Sequence, residues 1–244
     1  MLSAFARAFR TPDLRRKLLF TIAIMAIFRV GSFIPTPGVD YPNVQQAIAE
    51  TADGNDLLSL VNLFSGGALL QLSIFALGIM PYITASIIVQ LLRVVIPRFE
   101  ALHKEGQSGQ AKLTQYTRYL TIALAILQST TVITTARNGL LFQGCSVDVI
   151  PDASFVTMAL MVITMTAGTG LIMWLGELIT ERGVGNGMSL LIFTSIAASF
   201  PTALWSIAGG ANGATNFIIM IAVIVLDIGL VVFDEQSLRR IPRQ

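Results

Sequence analysis

From Leu57 to Leu92 the chain runs 36 residues without a charged side chain. As one helix that stretch would be about 54 Å long at 1.5 Å per residue. A bilayer's hydrocarbon core is only about 30 Å thick. Ser65-Gly66-Gly67 falls inside the stretch, and each glycine weakens a helix by about 1 kcal/mol relative to alanine. Two arrangements fit. In one, a short segment Leu57–Phe64 enters from outside and turns back, and a full span at about Leu72–Leu92 then crosses. In the other, the first part lies along the outer surface as an amphipathic segment. Broken backbone survives at membrane depth only where protein or a water-filled cavity surrounds it. The first arrangement therefore points to a pore or a substrate pathway.

The rest of the chain reads the same way. It has 244 residues, 54% hydrophobic and 12% charged, with mean hydropathy +0.72. An ordinary soluble domain carries about 25% charged residues. Further charge-poor stretches occur at about Leu18–Ile34, Tyr119–Ala136, Ser154–Leu175, Met188–Ile207 and Asn216–Phe233. The expected fold is an all-α membrane protein with six transmembrane helices. Six crossings put 14 of the 16 Lys and Arg residues on one side, leaving Arg29 and Arg137 as exceptions. Basic loops stay in the cytoplasm, so the N-terminus, residues 1–17, is expected there. The opening basic-then-apolar pattern is not expected to be a cleaved signal peptide. Arg29 interrupts it, and Ile34-Pro35-Thr36-Pro37-Gly38 follows in place of a small-residue cleavage site.

No enzyme constellation is present. The sole histidine, His103, lies in a polar loop, and the sole cysteine, Cys145, has no partner for an internal disulfide. Gly183-Val184-Gly185-Asn186-Gly187 joins two apolar helices and lacks the preceding strand that a phosphate-cradling loop needs. No cofactor, metal or direct nucleic-acid contact is expected. Arg29 and Asp227 lie within spans, where charges are functional candidates by default. Each is near enough to a helix end to snorkel or can pair with another helix. Two such residues are too few for a proton relay. Pro81, inside the second span, can kink it. Thr84, Ser86, Gln90 and Gln128 either join helices or face a wet cavity. Gly168 and Gly170 read as close helix packing. The loop Arg93–Arg118 anchors the topology, and it can also contact anionic lipid or dock a cytoplasmic partner.

Four stretches together resemble the SecY family of protein-conducting channels. They are Phe28-Arg29-Val30-Gly31-Ser32-Phe33-Ile34-Pro35-Thr36-Pro37-Gly38-Val39-Asp40; Phe64-Ser65-Gly66-Gly67-Ala68-Leu69 with Ser73 to Ile83; Lys104-Glu105-Gly106 with Gln115-Tyr116-Thr117-Arg118-Tyr119; and Trp174-Leu175-Gly176-Glu177 with Thr180 to Gly187. They occur in the family's order along essentially the whole chain. The resemblance implies two inverted five-helix halves, an architecture also known among transporters. This chain would hold the first inverted repeat, residues 18–207, and one helix of the second, residues 208–233. Residues 234–244 would begin a cytoplasmic loop.

The resemblance also assigns roles. The family's plug, a re-entrant helix, matches residues 57–67, with Leu57, Leu60, Asn62, Phe64, Ser65, Gly66 and Gly67. Its pore ring matches Ile79, Ile83, Met188 and Ile192. Such an apolar constriction excludes water and ions, and the flexible thioether of Met188 fits a compliant seal. Thr84 and Gln128 match positions near the lateral gate. Arg98, Lys104 and Lys112 fall in the loop that would meet a cytoplasmic partner. Implied partners are SecE and SecG in the plasma membrane, SecA or a ribosome on the cytoplasmic side, and secretory and membrane protein substrates. The family has ten membrane helices, so this chain is expected to be truncated and unable to enclose the pore alone. Two other functions remain open: a solute transporter, and a non-channel membrane fragment that binds partners.

Overall fold

The computed structural model describes residues 11–51, 65–142, 148–152, 154–208 and 213–237. Among the described residues there are eight helices and no strand. They are α1 (Pro12–Gly31), α2 (Tyr41–Thr51), α3 (Met80–Val95), α4 (Pro97–Lys104), α5 (Gln107–Arg137), α6 (Phe155–Arg182), α7 (Gly187–Ala208) and α8 (Gly213–Ser237). The chain divides into two compact units, Met1–Ala198 and Ser199–Gln244.

Local chemistry explains the helix ends. α1 starts on Pro12, with Asp13 in its first turn. Proline suits that position because its missing N–H has no acceptor there anyway, and the carboxylate complements the helix dipole. α1 stops at Ser32, whose amide and hydroxyl both donate to the Phe28 carbonyl. Ser154 caps α6 by accepting from the Thr157 amide at 3.3 Å. α3 and α4 meet at a bend of 100°, where Pro97 opens the second helix.

Residues 66–79 are not helical. The second span was expected to begin near Leu72, but regular helix begins at Met80. Gly66, Gly67 and Gly78 have positive φ, and so does Leu72 at 46°. These values are incompatible with a right-handed helix. The segment's backbone groups bond elsewhere. The Thr36 amide and hydroxyl both donate to the Leu72 carbonyl, at 3.0 and 2.8 Å. The Ile74 amide donates to Ile34 at 2.9 Å, and Pro35 and Ser73 form an isolated antiparallel bridge. Pro81 therefore does not kink a span. It sits in the first turn of α3, where proline is favoured.

This irregular segment joins two apolar clusters. Leu72 and Ala76 pack with Val44 of α2, Ile133 of α5, and Met161 and Met165 of α6. Phe75 and Ile79 pack with Ile24 and Phe28 of α1, Ile172, Leu175 and Ile179 of α6, and Leu191 of α7. Around it α5 packs on both α3 and α6, and α1 packs on α6. The buried face of α5 repeats every four residues from Gly109 through Leu113, Thr117, Thr121, Ala125 and Ser129 to Ile133. Small side chains allow close helix approach. The hydroxyls of Thr117 and Thr121 donate to carbonyls four residues back, at 3.0 and 2.7 Å, so burial leaves them satisfied.

Among the described residues, three helices are long and apolar enough to cross a membrane: α5, α6 and the Phe217–Asp234 part of α8. α3 with α4 makes a fourth if the bent pair is one span. Six crossings were expected. α1 falls short of this measure because Arg15, Arg16, Lys17 and Arg29 crowd its ends. α3 has only 16 residues because residues 66–79 are not helical. In the second unit, Asp227 lies within the apolar window of α8, whose mean hydropathy is 2.7.

Candidate functional site

Two helix starts converge on one apolar cluster. Ile79 immediately precedes α3, and Ile83 lies one turn along it. The Tyr82 and Ile83 amides both donate to the Ile79 carbonyl, at 3.0 and 3.1 Å. Met188 is the second residue of α7, and Ile192 follows one turn later. Side chains four apart share a helix face. All four belong to the cluster built on Phe28, Phe75 and Leu175, with Ile79 buried and the other three half-buried. The structure thus brings together the four residues expected to form a constriction.

Beside them lies the broken backbone. The Leu69 amide donates to the Ser65 hydroxyl at 3.0 Å. A Cβ on Gly66 would lie 3.1 Å from the Cα of Ser195 in α7. Leu57, Leu60, Asn62 and Phe64 lie outside the described residues. Arg29 holds this corner: its Nη1 donates to the Gly66 carbonyl at 2.6 Å, and its guanidinium lies 4.7 Å from the centroid of the Phe33 ring. A charged donor on a carbonyl makes a strong hydrogen bond, and an aromatic face adds to it. Sequence reasoning singled out Arg29 but left its partner open between snorkelling and another helix. The partner is a backbone carbonyl 37 positions away.

One cavity borders the cluster containing Leu72 and Ala76, and another borders the cluster containing Met188. The larger, about 420 Å³, is lined by Ser65, Leu69, Leu77, Met80, Gln128 and Leu141 among others. Gln128 therefore faces a space next to the broken segment. Thr84 does not line it, and its hydroxyl donates back to the Met80 carbonyl at 3.0 Å. The second cavity, about 270 Å³, is polar and includes Tyr82, Arg118, Glu177, Thr180, Glu181 and Met188. In it Arg118 Nε and Nη2 donate to the two oxygens of Glu177 at 2.8 and 2.7 Å. Sequence reasoning missed this forked pair. Its signal was two opposite charges at adjoining ends of consecutive apolar helices. Glu177→Gln is expected to lower the unfolding midpoint in detergent modestly. Arg118 is partly exposed, so screening holds the loss to about 1 kcal/mol, and 1 M salt should shrink it. A large salt-independent loss would contradict this picture.

Arg98, Lys104 and Lys112 are exposed on the α4–α5 corner. Lys104 lies 2.6 Å from Glu100, and Lys112 lies 3.7 Å from Glu105. Exposed pairs of this kind are weak, so these cations are available to other partners. Among the described residues no group of three or more His, Cys, Asp or Glu could hold a metal ion.

The helical architecture and apolar spans define a multi-pass membrane protein whose core is a broken-backbone segment held between helices. A sequence model of the SecY family matches residues 73–244, and the chain belongs to that family. It is 64% identical over 249 residues to the protein translocase subunit SecY of Streptomyces galbus. It is 59% identical over 246 residues to that of Mycobacterium tuberculosis. Each alignment takes in the whole of this chain, which spans 57% and 56% of those relatives' lengths. Two solved structures share the fold. The first is Sec61 in the canine ribosome–channel complex from the endoplasmic reticulum, with TM-score 0.57 and 18% identity, covering 93% of this chain and 49% of that one. The second is a protein-conducting channel, with TM-score 0.50 and 17% identity, covering 86% of this chain and 41% of that one.

Proposed function

We propose that this chain supplies the N-terminal half of the central subunit of a Sec protein-conducting channel. In this reading unfolded secretory proteins pass across the plasma membrane, and membrane segments leave sideways into the bilayer. The observation that carries it is the meeting of Ile79, Ile83, Met188 and Ile192 in one apolar cluster beside the broken backbone. Apolar side chains at a narrow point exclude ions by dewetting, and they bind no particular peptide sequence. The portion matched here forms one wall. Enclosing a pore requires the remaining length that the relatives have.

The finer assignments follow from the same reading. Six crossings with a cytoplasmic N-terminus suit the distribution of basic residues. α1 and α7, of 20 and 22 residues, then cross as well. Residues 57–67 are the plug, with Gly66 and Gly67 as its return. Gln128 stands by the lateral gate, facing the apolar cavity, and Thr84 lies on the adjoining turn of α3. The exposed corner with Arg98, Lys104 and Lys112 meets SecA or a ribosome, and SecE and SecG complete the membrane assembly. The catalytic work of driving transport belongs to such partners.

The test is conduction. A complete channel carrying Ile79→Gly and Ile83→Gly, reconstituted in vesicles, should leak chloride at rest, while the parent stays sealed. Resting conductance equal to the parent's would overturn the constriction.

A further inference from the structure

The turn between α6 and α7 is held by side chains. The Val184 amide donates to Thr21 Oγ1 of α1 at 3.2 Å, and the Gly187 amide donates to Thr180 Oγ1 at 2.9 Å. Asn186 Oδ1 accepts from the amides of Met188 and Ser189, at 3.1 and 3.5 Å. The amides of Gly187, Met188 and Ser189 open α7, where a helix offers them no internal acceptor. Packing at the turn is close. A Cβ on Gly187 would fall inside the Gly176 carbonyl, and one on Gly176 would lie 2.5 Å from Met188 Sδ. Met188 therefore rests on the bare backbone of α6 at Gly176, and its helix starts from an amide fixed by Thr180 one turn later.

We propose that Thr180 and Gly176 are positioning residues for the constriction: together they set the height and direction of Met188. The inference rests on reading Met188 as part of that constriction. A methionine has three rotatable bonds and no shape of its own, so the surface beneath it must decide where its sulfur sits. Gly176 supplies that surface by having no side chain. Thr180 supplies the anchor, and it is exposed, so removing its hydroxyl opens no cavity. The glycine-rich sequence Gly183–Gly187 thereby acquires a mechanical role.

The experiment uses the complete channel in vesicles and reads resting chloride leak together with thermal stability. Thr180→Val keeps the side-chain shape but loses the acceptor. It removes both the acceptor for the Gly187 amide and the donor to the Gly176 carbonyl at 3.0 Å, and should raise the leak about 5–150-fold, the change in a two-state balance expected from losing two neutral hydrogen bonds. Thr180→Ser should restore the seal. Gly176→Ala should raise the leak by displacing Met188, and it should add nothing once Met188→Ala is present, because the two share one contact. A parental leak in Met188→Ala would overturn the constriction reading itself. A leak in Met188→Ala with a sealed Thr180→Val would overturn only the positioning role, as would a leak in Thr180→Val that serine fails to repair.

Discussion

Gly168→Val is expected to leave almost no folded chain recoverable in detergent. A Cβ at this position falls inside the backbone carbonyl of Ile74. That carbonyl cannot simply move, because the Ile74 amide is bonded to Ile34 at 2.9 Å and Ser73 is bridged to Pro35. Overpacking usually costs about 1–3 kcal/mol and more where neighbours are rigid. Whole domains are stable by only about 5–15 kcal/mol. Gly168→Ala should fall between valine and the parent. Gly170→Val is the control: a Cβ there meets only the end of Ile122, at 3.5 Å, so it should melt close to the parent. Size-exclusion profiles and thermal unfolding of the three variants decide the matter. Equal melting of Gly168→Val and the parent would refute the close approach.

The second large effect lies at Arg29. Arg29→Met keeps an apolar stem of similar length and removes the donor to the Gly66 carbonyl. The loss should be about 1.5–3 kcal/mol, the range for hydrogen bonds to charged groups. In the complete channel it should also raise resting ion leak, because Gly66 and its neighbour Gly67 would then be tied to α1 less firmly. Arg29→Lys should recover only part of both effects. An ammonium can donate to the carbonyl, but it lacks the planar face that lies against Phe33. Parental leak together with lowered stability would separate the structural role of Arg29 from any role in sealing.

Much of this was legible before any coordinates, for reasons that lie in particular residues. The break at Ser65-Gly66-Gly67 showed itself because paired glycines inside an uncharged run have few other uses. Gly168 was read as close helix packing, but what approaches it is the non-helical backbone at Ile74. Gly170, two residues on, did not carry that role, because helix periodicity turns it toward Ile122. The start of α3 was misplaced by eight residues, Leu72 against Met80. An uncharged apolar run looks helical in any register, and what unwinds residues 66–79 is a set of bonds to Ile34 and Thr36. Those bonds are invisible to local pattern. The same applies to Arg29, to the fork between Arg118 and Glu177, and to Thr180. Each was visible as a polar residue among apolar neighbours, but each partner comes from a distant stretch or across a turn. Met188, Ile192, Ile79 and Ile83 were found through resemblance. Spacing alone marks them only as two pairs on two helix faces.

The docking of residues 65–79 also has a consequence for how the chain is made. Their partners arrive on two occasions. Ile34 and Thr36 precede them, whereas Gly168, against which Ile74 rests, is synthesised 94 residues after Ile74. At about 5–20 residues per second, the ribosome delivers α6 about 5–19 s after this segment. During that interval the irregular backbone has one wall and lacks the other. The cell must therefore shelter a half-built membrane protein for many seconds, and the moment of greatest exposure to proteases and to wrong helix partners comes between the emergence of α3 and that of α6.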